Sequence, residues 1–364
     1  MRYQRFYKRS RKSYCFHKHG IKIKKSPFFI IPLFIALLLP SCDWFTSPEE
    51  LEPGRRDYVW TADTLDLVMN DFRSIWGSSP EDVWVGTFQY GENFYYNGET
   101  WTKHEEIRST GYALYGFSNN DVWIGGDDGR IWHYDGTSWV ENFRYADSKF
   151  KSATIRDFAG DNSNNLYVVG ITFCEGNFNE WTQNQRAFIL YYDGYQWEEK
   201  FFADFQSQFT KIKLVEDNYY IFNVTVDNMH GDTNVVYQYY VNDNECRRLF
   251  SDTGILNINN IDNRLLVVMD NKIYWYNGNE LVDMRFPQVS DVIHQIYGRH
   301  VNDILIRIRN SIIHYNGTDI KNLYSFDNEW TYSTGGAIIF EKEVFFCCSD
   351  YINNNFFILK GKLN

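Results

Sequence analysis

Aligned on Gly77, Gly116, Gly160 and Gly298, the chain carries Arg73, Tyr112, Arg156 and His294 at one equivalent position, four residues earlier. Arginine offers planar, paired N–H donors that suit a carboxylate or sulfate. Basic and aromatic groups recurring at one position of an acidic chain therefore mark a candidate ligand site. The plainer reading pairs the basic groups with Asp71, Asp157 or neighbouring elements, and sequence alone favours it. Acid–base chemistry would draw on Asp127, Asp128 and Asp157, two of which would have to approach within about 5–9.5 Å to act on a glycosidic bond. Asp227, His230 and Asp232 crowd one loop, but three polar residues in a loop are a weak cation set. His-Glu-x-x-His, Gly-x-Ser-x-Gly, a phosphate loop and Cys-x-x-Cys are all missing from the sequence. No catalytic residue, metal or cofactor is assigned.

The elements that must position these residues come from a repeat. The phrase IWGSSPEDVWVG…FYYNGETW, Ile75 to Trp101, returns as LYGFSNNDVWIGG…IWHYDGTSW, Leu114 to Trp139. Turn markers follow at Asn97-Gly98, Asp135-Gly136, Asp193-Gly194, Asn277-Gly278 and Asn316-Gly317, with a degenerate one near Asn242–Asn244 and a last at Lys360-Gly361. Asn-Gly and Asp-Gly between apolar runs signal hairpins, with both central residues able to take positive φ. Residues 57–364 divided among seven units give an average of 44 residues, the length of a four-stranded propeller blade.

In the second unit the expected strands are Tyr112–Gly116, Val122–Gly125, Arg130–Tyr134 and Ser138–Phe143. The last unit ends where its fourth strand should begin, and Tyr58-Val59-Trp60-Thr61 matches the fourth-strand phrase with no unit of its own. The expectation is an all-β, seven-bladed β-propeller of four-stranded antiparallel blades, closed by an N-terminal strand completing the last blade. Aromatics make up 19% of the chain, enough to supply the faces between blades. Trp76, Tyr115 and Tyr297 recur at one position, as do Trp84 and Trp123, and Trp101, Trp139 and Trp197; these are read as blade packing. Acids at the first turn of several blades are read as turn residues and not as a calcium loop.

Residues 1–41 hold ten Lys or Arg and no acid, then an apolar run from Phe28 to Leu39. A basic segment, a short apolar stretch and a small-residue cleavage site describe an export signal. Setting it aside leaves 26 basic against 47 acidic side chains, a net charge of −21. That balance argues against nucleic acid as a partner. Residues 42–56 read as a lipidated cysteine and polar tether. Cys174 and Cys246 could pair only if neighbouring units meet, and Cys347 and Cys348 read as buried neighbours facing opposite ways.

Leu39-Pro40-Ser41-Cys42 resembles the lipobox of bacterial lipoproteins, which implies acylation of Cys42 and a membrane anchor. The Gly…Asp-Val-Trp…Gly…Tyr-Asp-Gly…Trp pattern resembles bacterial lipid-anchored β-propeller proteins. Gly129-Arg130-Ile131-Trp132-His133-Tyr134-Asp135-Gly136 is similar, more loosely, to tectonin-type propeller lectins. The resemblance implies a lipid-anchored cell-envelope protein, at the outer membrane, facing the periplasm or the surface. A monomer that binds a protein or glycan non-enzymatically through its loop-rich face is the leading expectation. A polysaccharide lyase or glycosidase working at the channel mouth is the alternative. Insertions at 171–187 and 226–234 fall on that face, and Trp181 within the first suits sugar or protein contact. Arg73, Tyr112, Arg156, Trp181 and His294 are the expected ligand residues.

Overall fold

The computed structural model describes residues 53–67, 71–173, 185–225, 233–326, 331–332 and 335–364. The expected signal, Cys42, Cys174, Trp181, Asp227, His230 and Asp232 lie outside the described residues. The described chain is all-β, in seven antiparallel sheets. The first blade runs, from first strand to fourth, Phe72–Ser79, Asp82–Thr87, Asn93–Tyr96 and Trp101–His104. The second runs Ala113–Ser118, Asp121–Gly125, Arg130–Tyr134 and Trp139–Arg144, within two residues of expectation. First strands touch only their neighbours, from blade one round to blade seven and back to blade one, so the sheets form a closed ring.

Each blade is held by what lies between it and the next. Trp84 of blade one meets Trp139 of blade two edge-on at 5.0 Å, and Trp123 of blade two meets Trp197 of blade three at 5.8 Å. The Trp residues that recur in sequence are thus one interlock used twice, second strand of one blade against fourth strand of the next. The described core falls into seven apolar clusters, each shared by two adjacent blades. Cys347 belongs to the cluster facing blade one and Cys348 to that facing blade six, on opposite sides of one strand. Both carry free thiols, as does Cys246.

The repeated Tyr-Asn/Asp-Gly phrase has a local explanation. The Asn or Asp side-chain oxygen accepts the next two free N–H groups, as Asn97 does from Glu99 and Thr100 at 3.0 and 2.8 Å. The preceding Tyr donates its hydroxyl to the glycine carbonyl, in blades one, two, three, five and six. The glycine alone takes positive φ, near 90° in all five turns, where the sequence reading had both central residues doing so. The turn is closed by its side chain, not by two left-handed residues. The expected marker at Lys360-Gly361 is not a turn at all: Gly361 lies inside the strand Asn355–Leu363, opposite Trp60 and Val344. A Cβ there would sit 2.7 Å from the Trp60 ring, so this glycine makes room for an aromatic.

Closure follows the expected route. Tyr58–Thr64 pairs antiparallel with Asn355–Leu363, in unbroken register from Tyr58 opposite Leu363 to Thr64 opposite Phe357. Trp60 packs on Tyr324 and Phe346 and joins Leu305 of blade six, as Trp139 joins Trp84. The end of the expected tether is also docked. Gly54 N–H bonds the Asn302 carbonyl, and Arg56 donates Nε to Nδ1 of His314 at 3.1 Å. Arginine has no acceptor, so His314 Nδ1 is unprotonated and Nε2–H donates to Asp303 at 2.7 Å. Trp60→Ala should cost about 2–3 kcal/mol in chemical denaturation, whereas Val59→Ala, on an exposed neighbour, should be near neutral. Equal effects of the two would contradict a load carried by the closing strand.

Candidate functional site

The seven first strands enclose a polar cavity of about 410 Å³ on the ring axis. Every blade contributes to its wall, among them Arg73, Tyr112, Arg156, Lys211, Asn259, Gln295 and Gly336. Register explains why these positions matter. The ladder between first and second strands skips one residue at Arg73, at Arg156 and at Thr210. A bulge frees the extra residue from cross-strand pairing and re-aims it. Tyr112 and His294 occupy the same register immediately before their strands. The equivalence visible in sequence is therefore a bulge position at the end of the ring where the fourth-to-first strand connections arrive.

Three of the expected residues meet. Arg73 lies 5.5 Å and Arg156 5.1 Å from the Tyr112 ring centre, so one phenol carries two guanidinium groups. Arg73 is also 4.9 Å from the ring of Phe88, which is 47% exposed at the rim. Each contact is a cation–π pair worth about 0.5–2 kcal/mol according to exposure. His294 does not join them. It is exposed, its N–H bonds the Arg307 carbonyl, and its neighbour Gln295 lines the cavity instead. Trp181 lies outside the described residues. The strand ends Phe173 and Gln185 of blade three, and Thr225 and Thr233 of blade four, lie at the same end of the ring as the bulges.

The plainer pairing holds for Arg73, which reaches Asp71 at 3.6 Å. It does not hold for Arg156. Asp157 is taken by Lys213 at 2.9 Å and by the N–H groups of Ile212 and Phe158 at 3.0 Å. Among the described residues the Arg156 guanidinium has no carboxylate or hydrogen-bond partner. Burial lowers its pKa, and Arg73 adds to the effect. Sequence reasoning missed Lys211 and Lys213, because they follow the bulge residue Thr210 by one and three places, positions outside the one that was aligned. Lys211 is enclosed, bonds Asn257 Oδ1 at 2.5 Å, and is pushed down to about 8, first by burial and then by Lys213.

Among the described residues, Asp127, Asp128 and Asp157 do not line the cavity together. Asp157 is the sole carboxylate among the described lining residues. Asp127 is raised by burial and holds the Thr154 hydroxyl at 3.1 Å, off the cavity wall. Asp128 pairs with Arg144 at 3.3 Å on the outside.

No family model matches the sequence, and no curated protein matches it either. Among solved structures the chain is similar to a catalytically inactive virginiamycin B lyase from Staphylococcus aureus with quinupristin. The TM-score is 0.61 at 15% identity, over 84% of this chain and 100% of that one. It is also similar to YCF48 bound to a D1 peptide, with TM-score 0.55 and 14% identity over 87% and 99% of the two chains. The WD40 repeats of RRP9 align with TM-score 0.55 and 6% identity over 86% and 99%. At these identities the likeness establishes the β-propeller fold and nothing about activity.

A lysine whose folded pKa of about 8 lies below its ordinary 10.5 is a destabilising charge at neutral pH. Between those values the unfolded chain binds more protons, so Lys211 makes stability rise with pH across that window. Lys211→Met should flatten this rise and stabilise the domain at pH 7 by up to about 3 kcal/mol. Denaturation curves at pH 7 and pH 10 test both, and a destabilised variant with the rise intact would refute them.

Proposed function

We propose that this chain is a non-enzymatic binding or scaffold propeller, anchored to the cell envelope through Cys42, that engages a partner at its channel mouth. The observation that carries the reading is the convergence of Arg73, Tyr112, Arg156 and Phe88 at one end of the axial cavity. Rigid, mutually stacked side chains held by bulges on a closed ring form a preorganised surface, which lowers the ordering cost of association. Propellers of this shape accommodate very different partners: the lyase above was solved with quinupristin and YCF48 with a D1 peptide. Both a glycan and a protein remain within the proposal.

The anchor rests on the basic–apolar–Cys segment at 1–42. Thioether diacylation plus N-acylation supplies the several buried chains that stable anchoring requires. Radiolabelled palmitate should enter the wild-type chain in a bacterial host and not the Cys42→Ala variant. Label in both would remove the anchor from the proposal.

For the binding face, the detergent-solubilised full chain is screened against envelope and host glycan arrays and by crosslinking in native envelope. Tyr112→Ala and Phe88→Ala alter the mouth, whereas Tyr195→Ala alters a turn at the opposite end, where the side chain is 94% exposed. Ligands lost in the mouth variants and kept by Tyr195→Ala support the proposal. Ligands indifferent to both mouth variants would place function elsewhere.

A further inference from the structure

The axial cavity carries more positive charge than the protein around it can explain. Its described wall holds Arg73, Arg156, Lys211 and Lys213 against one carboxylate, Asp157. That carboxylate is already matched by Lys213 and two backbone amides. Arg73 shares Asp71 at 3.6 Å, while Arg156 and Lys211 make no ion pair at contact distance and feel only the longer-range fields of Asp127 and Asp157. This occurs inside a region, residues 42–364, whose net charge is −21. Like charges gathered in a partly enclosed space repel one another and lose hydration, so the cluster is costly unless an anion completes it.

The neutral groups around the cavity lean the same way. The described residues leave the Tyr112 hydroxyl and the Gln295 amide N–H₂ without protein partners, while Gln295 Oε1 is occupied by the Tyr297 hydroxyl at 2.6 Å. Lys211 uses one of its three donors on Asn257. The wall is therefore rich in unused donors and calls for a ligand rich in acceptors. The Tyr112 ring lies between the reach of both guanidinium groups, at 5.5 and 5.1 Å, and stacking of this kind leaves guanidinium edges open to a planar oxyanion.

We propose that the channel mouth is an oxyanion site whose ligand is the single carboxylate or sulfate of an acidic sugar. The inference rests on the binding reading above and narrows it. A terminal acidic sugar brings one charge past the acidic surface, and its ring and hydroxyl oxygens supply acceptors for the remaining donors. A polyacidic peptide would carry several charges against the same repulsive exterior.

Calorimetric titration of the detergent-solubilised full chain tests this with galacturonate, galactose 6-sulfate, galactose and a glutamate-rich peptide as probes. The acidic sugars are expected to bind and galactose to bind roughly tenfold more weakly or not at all. Arg156→Gln should weaken the acidic sugars by about tenfold or more, and added salt should weaken them further. Lys211 faces Lys213 on its own strand, Asp157 from blade three and the neutral Asn257 from blade five. Affinity should accordingly fall as pH rises through about 8, and Lys211→Arg should retain it. Tyr195→Ala should bind as wild type, and a melting curve confirms that each variant is folded. Galactose binding as well as galacturonate, or Arg156→Gln leaving affinity unchanged, overturns the proposal. So does binding of the peptide alone, or of none of the probes. If the mouth variants still abolish a neutral glycan or protein ligand in the screen, the binding reading stands and the oxyanion inference alone falls.

Discussion

A ring of sheets has one seam, and here the seam is a strand exchange between chain ends. Tyr58–Thr64 zips onto Asn355–Leu363 without a register break, so the last blade is built from both termini. A blade lacking its outer strand would leave the edge of Asn355–Leu363 unpaired and expose the apolar cluster that Trp60 covers with Tyr324, Phe346 and Leu305. Exposed edges and apolar faces invite aggregation, so closure protects each blade indirectly through its neighbours. The Arg56–His314–Asp303 chain of hydrogen bonds extends the seam below the strand, tying the residues just before it to blade six.

The axial cavity is a consequence of that closure. Seven first strands brought to a common axis cannot fill it with main chain, and what their bulge positions carry decides the character of the space. Six blades could hold side chains there, but the seventh offers Gly336, with φ of 90° and no side chain to project. The wall is thus uneven, crowded by Arg73, Tyr112 and Arg156 across blades one to three and polar towards blades five to seven. Charge is uneven in the same sense, since the cations come from blades one, three and four. A symmetric repeat has produced an asymmetric mouth because the bulge position is free to vary without disturbing the blade interfaces.

Those interfaces vary less. The Trp84–Trp139 and Trp123–Trp197 pairs repeat one geometry, and where the Trp is lost the same space is filled by Tyr167 with Tyr219 and Tyr239 between blades three and four. Large flat rings suit a wedge-shaped gap between twisted sheets, which explains an aromatic content that the short turns alone would not require. Stability and recognition are in this way assigned to different positions of the same strands. The exception is Lys211, where burial and Lys213 lower the pKa of a cation on the cavity wall, so one position bears on both fold and cavity.

The repeat by itself determined the blade number, the strand order and the closing strand, because turn residues and alternating apolar runs are local signals with a fixed period. It also picked out Arg73, Tyr112 and Arg156, which stand at one distance from Gly77, Gly116 and Gly160, at a bulge in blades one and three and just before the first strand in blade two. In blade four the equivalent position is Thr210, and Lys211 and Lys213 were invisible because they reach the cavity from other positions of the strand. His294 shares the register but not the cavity: its N–H bonds the Arg307 carbonyl of the adjoining strand and Gln295 lines the wall instead, which no spacing rule encodes. Tertiary structure alone decided which cations keep a carboxylate. Asp157 neighbours Arg156 in sequence yet pairs with Lys213 of the next blade. The bulge at Arg156 breaks the regular alternation, and Asp157 is met by Lys213 and the Ile212 N–H of the next blade, so the partner of a charge is set by the sheet it meets and not by the residue beside it.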